Sequence, residues 1–395
     1  MVELRANFNA RILKLENQYD IRRELININA DKRALDVLAS NMEFLHVRLE
    51  QVDTRVANTI KQLVIKLGGE AAISQEAYSY TVRSTSMLIS ASRKNLEFLA
   101  KKLATPQYEL ENIGKELERC LDEARGNFVI GNRVFDFSHT VYLSGIVRHR
   151  PGVPEKRILE KVERYCKSGA DIIEILAGYP GGILQPEPAS SEETRDFAHL
   201  VYMIKKNFPD VVISTDMAKV GVAKAALEAG AEIFCNVIPI RYNLELIQFI
   251  AKHNLPMLLM YAPSLNRLPQ PLGVVSDILR DIQANTNFAV SNGIAREKIV
   301  IDPSICFGRK DKDNFLMMRQ LSNFRHLKMP ISIMFSRKSF LNSSLVGSMR
   351  KQQVCSIISN TLAVLNNCNI VRVESSEQIS LLRNILNILH PSVEA

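Results

Sequence analysis

What the chain lacks narrows its class. Its six cysteines, at 120, 166, 235, 306, 355 and 368, are widely spaced and include no CxxC pair. That argues against a zinc ribbon or a disulfide framework and for reduced, mostly buried thiols. No uninterrupted apolar run approaches the roughly 18 residues a membrane span requires, so no membrane partner is expected. The opening stretch MVELRANFNARILKLE has charges but no apolar core segment, which predicts no secretory signal and a cytoplasmic location. Histidines at 46, 139, 149, 199, 253, 326 and 390 show no HExxH or paired-ligand spacing, so no metal ligand is assigned. Spacing yields no serine or cysteine triad. Basic residues exceed acidic ones, 50 to 42, giving a net charge of +8. They are interspersed with Asp and Glu, apart from a mild cluster over 148–167, so the excess reads as a basic surface and nucleic acid is not an expected partner.

What is present suits a soluble globular protein: 46% apolar and 23% charged residues over 395 positions. That length suggests two domains, one able to hold a barrel of about 250 residues. Residues 1–126 read as a mostly helical domain. Over 32–66 and its edge, Leu38, Met42, Leu45, Leu49, Val52, Val56, Ile60, Val64 and Leu67 recur at three- and four-residue steps, predicting a helix with one buried stripe. Gly68-Gly69 breaks it, a short strand fits the stretch after it, and further helices are predicted over 84–103 and 109–123.

From about 127 to 395 the texture changes to short β-branched runs separated by amphipathic helices. Strands are predicted at 140–147, 171–177, 211–216, 231–237, 256–261, 298–303, 330–335 and 369–373. Helical patterns fill 155–168, 190–207, 218–229, 243–253, 272–291, 313–325 and 347–367. Eight strands alternating with helices predict an α/β fold of the (β/α)8 TIM-barrel type, with a doubly wound sheet as the alternative. Gly169 and Gly230 close helices just before strands, a usual role of glycine. The glycines of AGYPGG at 177–182 read as a turn more readily than as a phosphate cradle.

In a barrel the chemistry sits where strands end. Those positions carry Glu174, Asp216, Cys235 with Asn236, Asp302, the run Ser336-Arg337-Lys338, and Arg372 followed by Glu374. Buried carboxylates on apolar strands need partners. Asp216 and Asp302 suit hydrogen bonds from an aminopyrimidine-type ring. Alternatively, Asp302 and Lys338 form a structural ion pair, and Asp216 caps the helix after it. Arg372 is an anion clamp by its planar fork, or a surface ion-pair residue. Ser336 adds a hydroxyl to this rim.

These residues resemble dihydropteroate synthases, the pterin-binding (β/α)8 enzymes of folate biosynthesis. The likeness runs over about 135–385. It rests on GADIIEI at 169–175, ISTD at 213–216, AKVGVAKAALEAGAEI at 218–233, GIAREKIVIDPSICFGR at 293–309, DN at 313–314 and SRKSF at 336–340. The stretch IKQLVIKLGGEAAI at 60–73 also resembles a helical extension carried by one bacterial subset. The resemblance implies a pterin pocket of Asp216, Cys235 (where the family has asparagine), Asp302 and Lys338. Asn236 stands one position further, Glu174 stands where the family has aspartate, and Phe307 fits a pocket-wall phenylalanine. Lys338 and Arg372 would be catalytic; Ser336, Arg372 and Arg148 would hold an anion.

Other positions depart from the family. GIVRHRPG from Gly145 puts Arg148 at an asparagine position and keeps only Pro151 of the first-loop signature. AGYPGGILQPEP lacks the ThrArgPro of the second loop. Met217 replaces a threonine and Glu374 a histidine, and a carboxylate there would repel diphosphate. The resemblance implies a divergent synthase joining p-aminobenzoate to 6-hydroxymethyl-7,8-dihydropterin diphosphate, with Mg2+ if catalytic. Two alternatives stay open: another pterin- or folate-binding reaction such as methyl transfer, and a non-catalytic homologue with a binding or structural role. It also implies a homodimer formed through the C-terminal helices, and Val354, Ile357, Ile358, Leu362 and Leu365 supply either such a face or an internal core stripe.

Overall fold

The computed structural model describes residues 12–13, 15, 17–105, 110–121, 128–131, 133–137, 140–149, 152–176, 191–216, 219–236, 240–261, 273–305, 311–335 and 349–389. The chain divides into two compact units, Met1–Glu123 and Ala124–Ala395.

In the first unit, helix-rich segments flank a three-stranded antiparallel sheet in sequence. Its strands are β1 (Phe44–Asp53), β2 (Glu70–Ile73) and β3 (Ser84–Ser92), in the order β1-β3-β2. Helices Thr54–Lys66 and Arg93–Leu103 pack their apolar stripes on one face, enclosing Leu49, Val52, Ile60, Met87, Ile89, Leu96 and Leu99. The single helix expected over 32–66 is therefore corrected: residues 35–42 and 54–66 are helical, with β1 between them. The misreading has a physical source. A register shift between Leu49 and Val52, with Gln51 at φ 56°, inserts an extra residue into β1. Such a bulge turns the strand's two-residue period into a step of three, the spacing a helix shows. Likewise 84–92 is a strand, and the helix expected from 84 starts only at Arg93, where the Ser92 side chain caps Asn95 N–H.

In the second unit, a hairpin of β4 (Phe128–Ile130) and β5 (Arg133–Phe135) precedes eight parallel strands. These are β6 (Tyr142–Arg148), β7 (Ile172–Leu176), β8 (Val212–Asp216), β9 (Ile233–Asn236), β10 (Met257–Met260), β11 (Ile299–Asp302), β12 (Ser332–Met334) and β13 (Ile370–Val373). Their order is β11-β10-β9-β8-β7-β6-β13-β12. A bridge between Ile301 and Ile331, with Ile301 N–H donating to Pro330 O at 2.9 Å, joins the two ends into a nearly closed barrel. The predicted (β/α)8 architecture is present, and its strands fall within a few residues of their expected positions. Among the described residues, no helix is long and apolar enough to cross a membrane.

The barrel has two dissimilar ends. Phe128, Ile130, Phe135 and Phe137 cluster with Ile172, Val212, Ile233, Leu258, Val300 and Ile370, the early inward residues of six strands. This apolar plug includes a Phe135–Tyr142 ring contact at 4.5 Å and buries area that no polar ligand competes for. Polar chemistry is left to the opposite, C-terminal end.

Candidate active site at the C-terminal mouth of the barrel

Strand side chains alternate between faces, so two residues beyond each plug residue lies another inward position. From Ile172 that step reaches Glu174, from Val300 Asp302, from Ile370 Arg372, from Ile233 Cys235, and from Val212 Ser214 and then Asp216. Three of these meet directly. Arg372 Nη1 donates to Glu174 Oε1 at 2.8 Å, and its Nη2 donates to Asp302 Oδ2. All three side chains are at most 3% exposed. Asp302 Oδ1 also accepts from Ser304 N–H at 2.6 Å, in a turn that holds Ser304 at φ 48°.

Burial alone would lower the pKa of the Arg372 guanidinium, but Glu174 and Asp302 outweigh it and hold the group firmly charged. Arg372 is thus a buried ion-pair centre rather than a surface residue. Lys338, the lysine partner considered for Asp302, lies outside the described residues, as do Ser336 and Phe307. Asp216 is half-buried and paired in register with Cys235. The following helix starts at Val220 with Lys219 at its N-cap, so Asp216 is not the helix cap. Burial first, and then the negative charge of Asp216, push the Cys235 thiol well above its ordinary range. It stays a neutral thiol, a weak donor and weak acceptor.

Cys235 and Asn236 do not share a face. The Asn236 side chain accepts from Asn243 Nδ2 at 3.1 Å, in the segment leading to the next helix. An amide one residue late therefore does not stand in for one in the inward row. Glu174 Oε2 and Ser144 Oγ are buried with no hydrogen-bond partner among the described residues. Ser144 is the register partner of Arg372; the strand pattern signalled its inward position, but a lone serine gave no further hint. The described interior thus has three carboxylates against one guanidinium, and offers acceptors to a ligand rich in N–H groups.

The rim above β6 is built differently. Arg148 Nη2 pairs with Glu374 Oε1, so two departures from the family pattern meet. Gly145 permits the backing for this rim: a Cβ there would sit 2.5 Å from the Tyr165 ring. The Tyr165 hydroxyl donates within reach of Ile146 O at 2.9 Å and Glu374 O at 2.6 Å. Among the described residues no group of three His, Cys, Asp or Glu is arranged to hold a metal ion. Magnesium takes oxygen ligands; at the described rim Arg148 presents only N–H groups, and Glu374, whose carboxylate Arg148 already engages, is the one carboxylate beside it.

A dihydropteroate synthase of Clostridium beijerinckii is 27% identical over 260 residues, spanning 62% of this chain and 92% of the relative. A probable bifunctional folylpolyglutamate synthase/dihydropteroate synthase of Haloferax volcanii is 24% identical over 358 residues. That match spans 83% of this chain, more than the barrel unit alone supplies, and 41% of the relative. Among solved structures, a Xanthomonas albilineans dihydropteroate synthase with 4-aminobenzoic acid has a TM-score of 0.59 at 20% identity, covering 69% of this chain and all of that one; the likeness is one of fold. Residues 154–374 match the family described as pterin binding enzyme, more than half of the chain, and the chain belongs to that family.

Proposed function

We propose that the barrel binds a reduced pterin and acts as a divergent dihydropteroate synthase. The observation that carries this reading is the convergence of Glu174, Asp302 and Arg372 on one buried point at the C-terminal end of a barrel plugged at its other end. Family membership supplies the ligand class. Glu174, Asp216 and Asp302 accept hydrogen bonds from the amino and ring N–H groups of the pterin. Cys235 contributes packing where relatives resembling this chain place an amide. Arg372 fixes the two carboxylates in place, with Lys338 and Ser336 proposed as the cationic and hydroxyl groups of the rim and Phe307 as a wall.

In the reaction the amine nitrogen of p-aminobenzoate attacks the exocyclic methylene of the pterin diphosphate. A C–N bond forms, the C–O bond breaks, diphosphate leaves with the electron pair, and the amine loses a proton. Departure is favoured by positive charge placed where negative charge develops. Arg148 is proposed to serve that end in part, and its pairing with Glu374 offsets the repulsion that carboxylate would otherwise exert. We further propose that two copies associate through the helices Met349–Leu365 and Ser376–Leu389. Val354, Ile358, Leu362 and Leu365 are exposed there at steps of four, four and three.

One observation favours a second reading. Both terminal nitrogens of Arg372 engage carboxylates, not an open anion site. A barrel that binds the pterin ring without diphosphate chemistry fits that geometry as well. Calorimetry separates the two: pterin binding strengthened by diphosphate and magnesium supports the synthase, and pterin binding indifferent to both supports the second. Absence of pterin binding would sink both.

A further inference from the structure

We propose that Arg372 holds the place its ligand takes: the guanidinium stands in for a guanidine-type ring edge, and binding exchanges one planar N–H fork for another. The inference rests on the pterin reading of the barrel and concerns how that site is closed and opened. Arg372 Nη1 donates to Glu174 Oε1 at 2.8 Å, and Nη2 donates to Asp302 Oδ2. A 2-amino-4-oxopteridine offers the same pattern, because its 2-amino and N3 groups are N–H donors on one planar N–C–N unit. A fork of this kind pairs with a carboxylate through parallel N–H···O bonds. The donors of Arg372 therefore stand on the acceptors that the ring would use.

The surroundings of Asp302 decide which partner yields. Its Oδ1 accepts from Ser304 N–H at 2.6 Å, a main-chain donor in a turn with Ser304 at φ 48°, and its Oδ2 accepts from Arg372. The turn fixes the first donor; the second sits on a side chain with several rotamers. Glu174 Oε1 is likewise taken by Arg372, whereas Oε2 is buried with no hydrogen-bond partner among the described residues. Departure of Arg372 alone is costly. All three side chains are at most 3% exposed, so both carboxylates would be left buried and uncompensated. An entering fork removes that cost by replacing both donors as Arg372 withdraws. A ring with an oxo group in place of the 2-amino group brings an acceptor against a carboxylate, and such a mismatch is rejected strongly. The contact thus lowers apparent affinity by the fraction of open sites and selects ligands that carry the fork.

The full chain, Arg372→Lys and Arg372→Ala are titrated calorimetrically with 6-hydroxymethylpterin, with lumazine (the 2,4-dioxo ring) and with methylguanidinium. Arg372→Lys keeps the buried charge but loses the fork, so it should bind the pterin about tenfold more tightly than the wild type. Lumazine should bind the wild type at least tenfold more weakly than the pterin does. Methylguanidinium should bind Arg372→Ala, raise its thermal midpoint and compete there with the pterin, while leaving the wild type unaffected. Pterin affinity unchanged or weakened in Arg372→Lys overturns the exchange, since an arginine that only contacts the ligand gives that result. Lumazine bound as tightly as the pterin, or no methylguanidinium binding by a folded Arg372→Ala, overturns it as well. Should Arg372→Ala fail to fold, Arg372→Lys still decides. Methylguanidinium seated in Arg372→Ala with no pterin binding by any of the three proteins sinks the proposed function and supports the exchange for another guanidine-type ligand.

Discussion

Arg372 Nη1 lies 2.8 Å from Glu174 Oε1, two strands away on one side of β13, while Nη2 reaches Asp302 two strands away on the other. One guanidinium therefore ties together five consecutive strands across the barrel's C-terminal interior. A buried ion pair adds little net stability over an apolar filling, but breaking one strands uncompensated charge.

Removal of the cation is accordingly costly. Arg372→Met should lower unfolding stability by about 3–5 kcal/mol in urea titrations. Adding Glu174→Gln, which removes one of the stranded charges, should restore part of that loss, leaving a coupling of about 0.5–3 kcal/mol. Strictly additive losses would contradict a direct pair.

Alkaline pH gives a second test. Burial is the main cause that pushes the Cys368 thiol up to about 12, from an ordinary 9.0. The unfolded chain then releases a proton that the native chain retains between those values. This contribution to stability is complete below about pH 9 and declines as pH rises toward 12, by about 1.4 kcal/mol per unit at most. Urea midpoints of the wild type and Cys368→Ala, compared between pH 8 and 11, should show a shallower decline in the variant. Parallel curves would contradict a retained proton.

Cys235 presents a neutral thiol to the interior. Cys235→Asn should place a full amide donor and acceptor in the same inward position, worth roughly 0.5–1.5 kcal/mol of added ligand affinity. Pterin titration calorimetry on the two proteins reads this directly. Asn236→Ala is the control, because that side chain bonds Asn243 instead. A larger loss of pterin affinity in Asn236→Ala than the gain in Cys235→Asn would reverse the assignment.

The apolar stripe on the helix Met349–Leu365 leads to a prediction about assembly. Val354 and Leu362 are 49% and 44% exposed, and converting both to lysine should shift sedimentation from a two-copy to a one-copy species without loss of helical signal. A wild-type chain that sediments as one copy at tens of micromolar would contradict the proposed dimer.

The barrel was legible because its strands are short β-branched runs between amphipathic helices, and two periods so different seldom mimic each other. The first unit was less so. Its β1 bulge at Gln51 lends a strand the spacing of a helix, and only the pairing with β3 reveals it. The hairpin Phe128–Phe135 escaped notice because three-residue strands carry too few positions to show alternation. At the mouth, sequence gave Glu174, Asp302 and Arg372 as separate candidates. Their junction depends on strand order, which brings residues 198 and 70 positions apart into contact. The meeting of Arg148 with Glu374 was hidden for the same reason: alone, Arg148 reads as an anion holder and Glu374 as a lost histidine, and only β6 beside β13 makes them a pair.

The central claim is tested most directly by turnover. The full chain is supplied with 6-hydroxymethyl-7,8-dihydropterin diphosphate, p-aminobenzoate and magnesium, and dihydropteroate and diphosphate are quantified together. The account predicts the two products in equal amounts, reduced about 100-fold or more in Asp302→Asn with the fold retained. No product from the wild type, or undiminished turnover in Asp302→Asn, would contradict it.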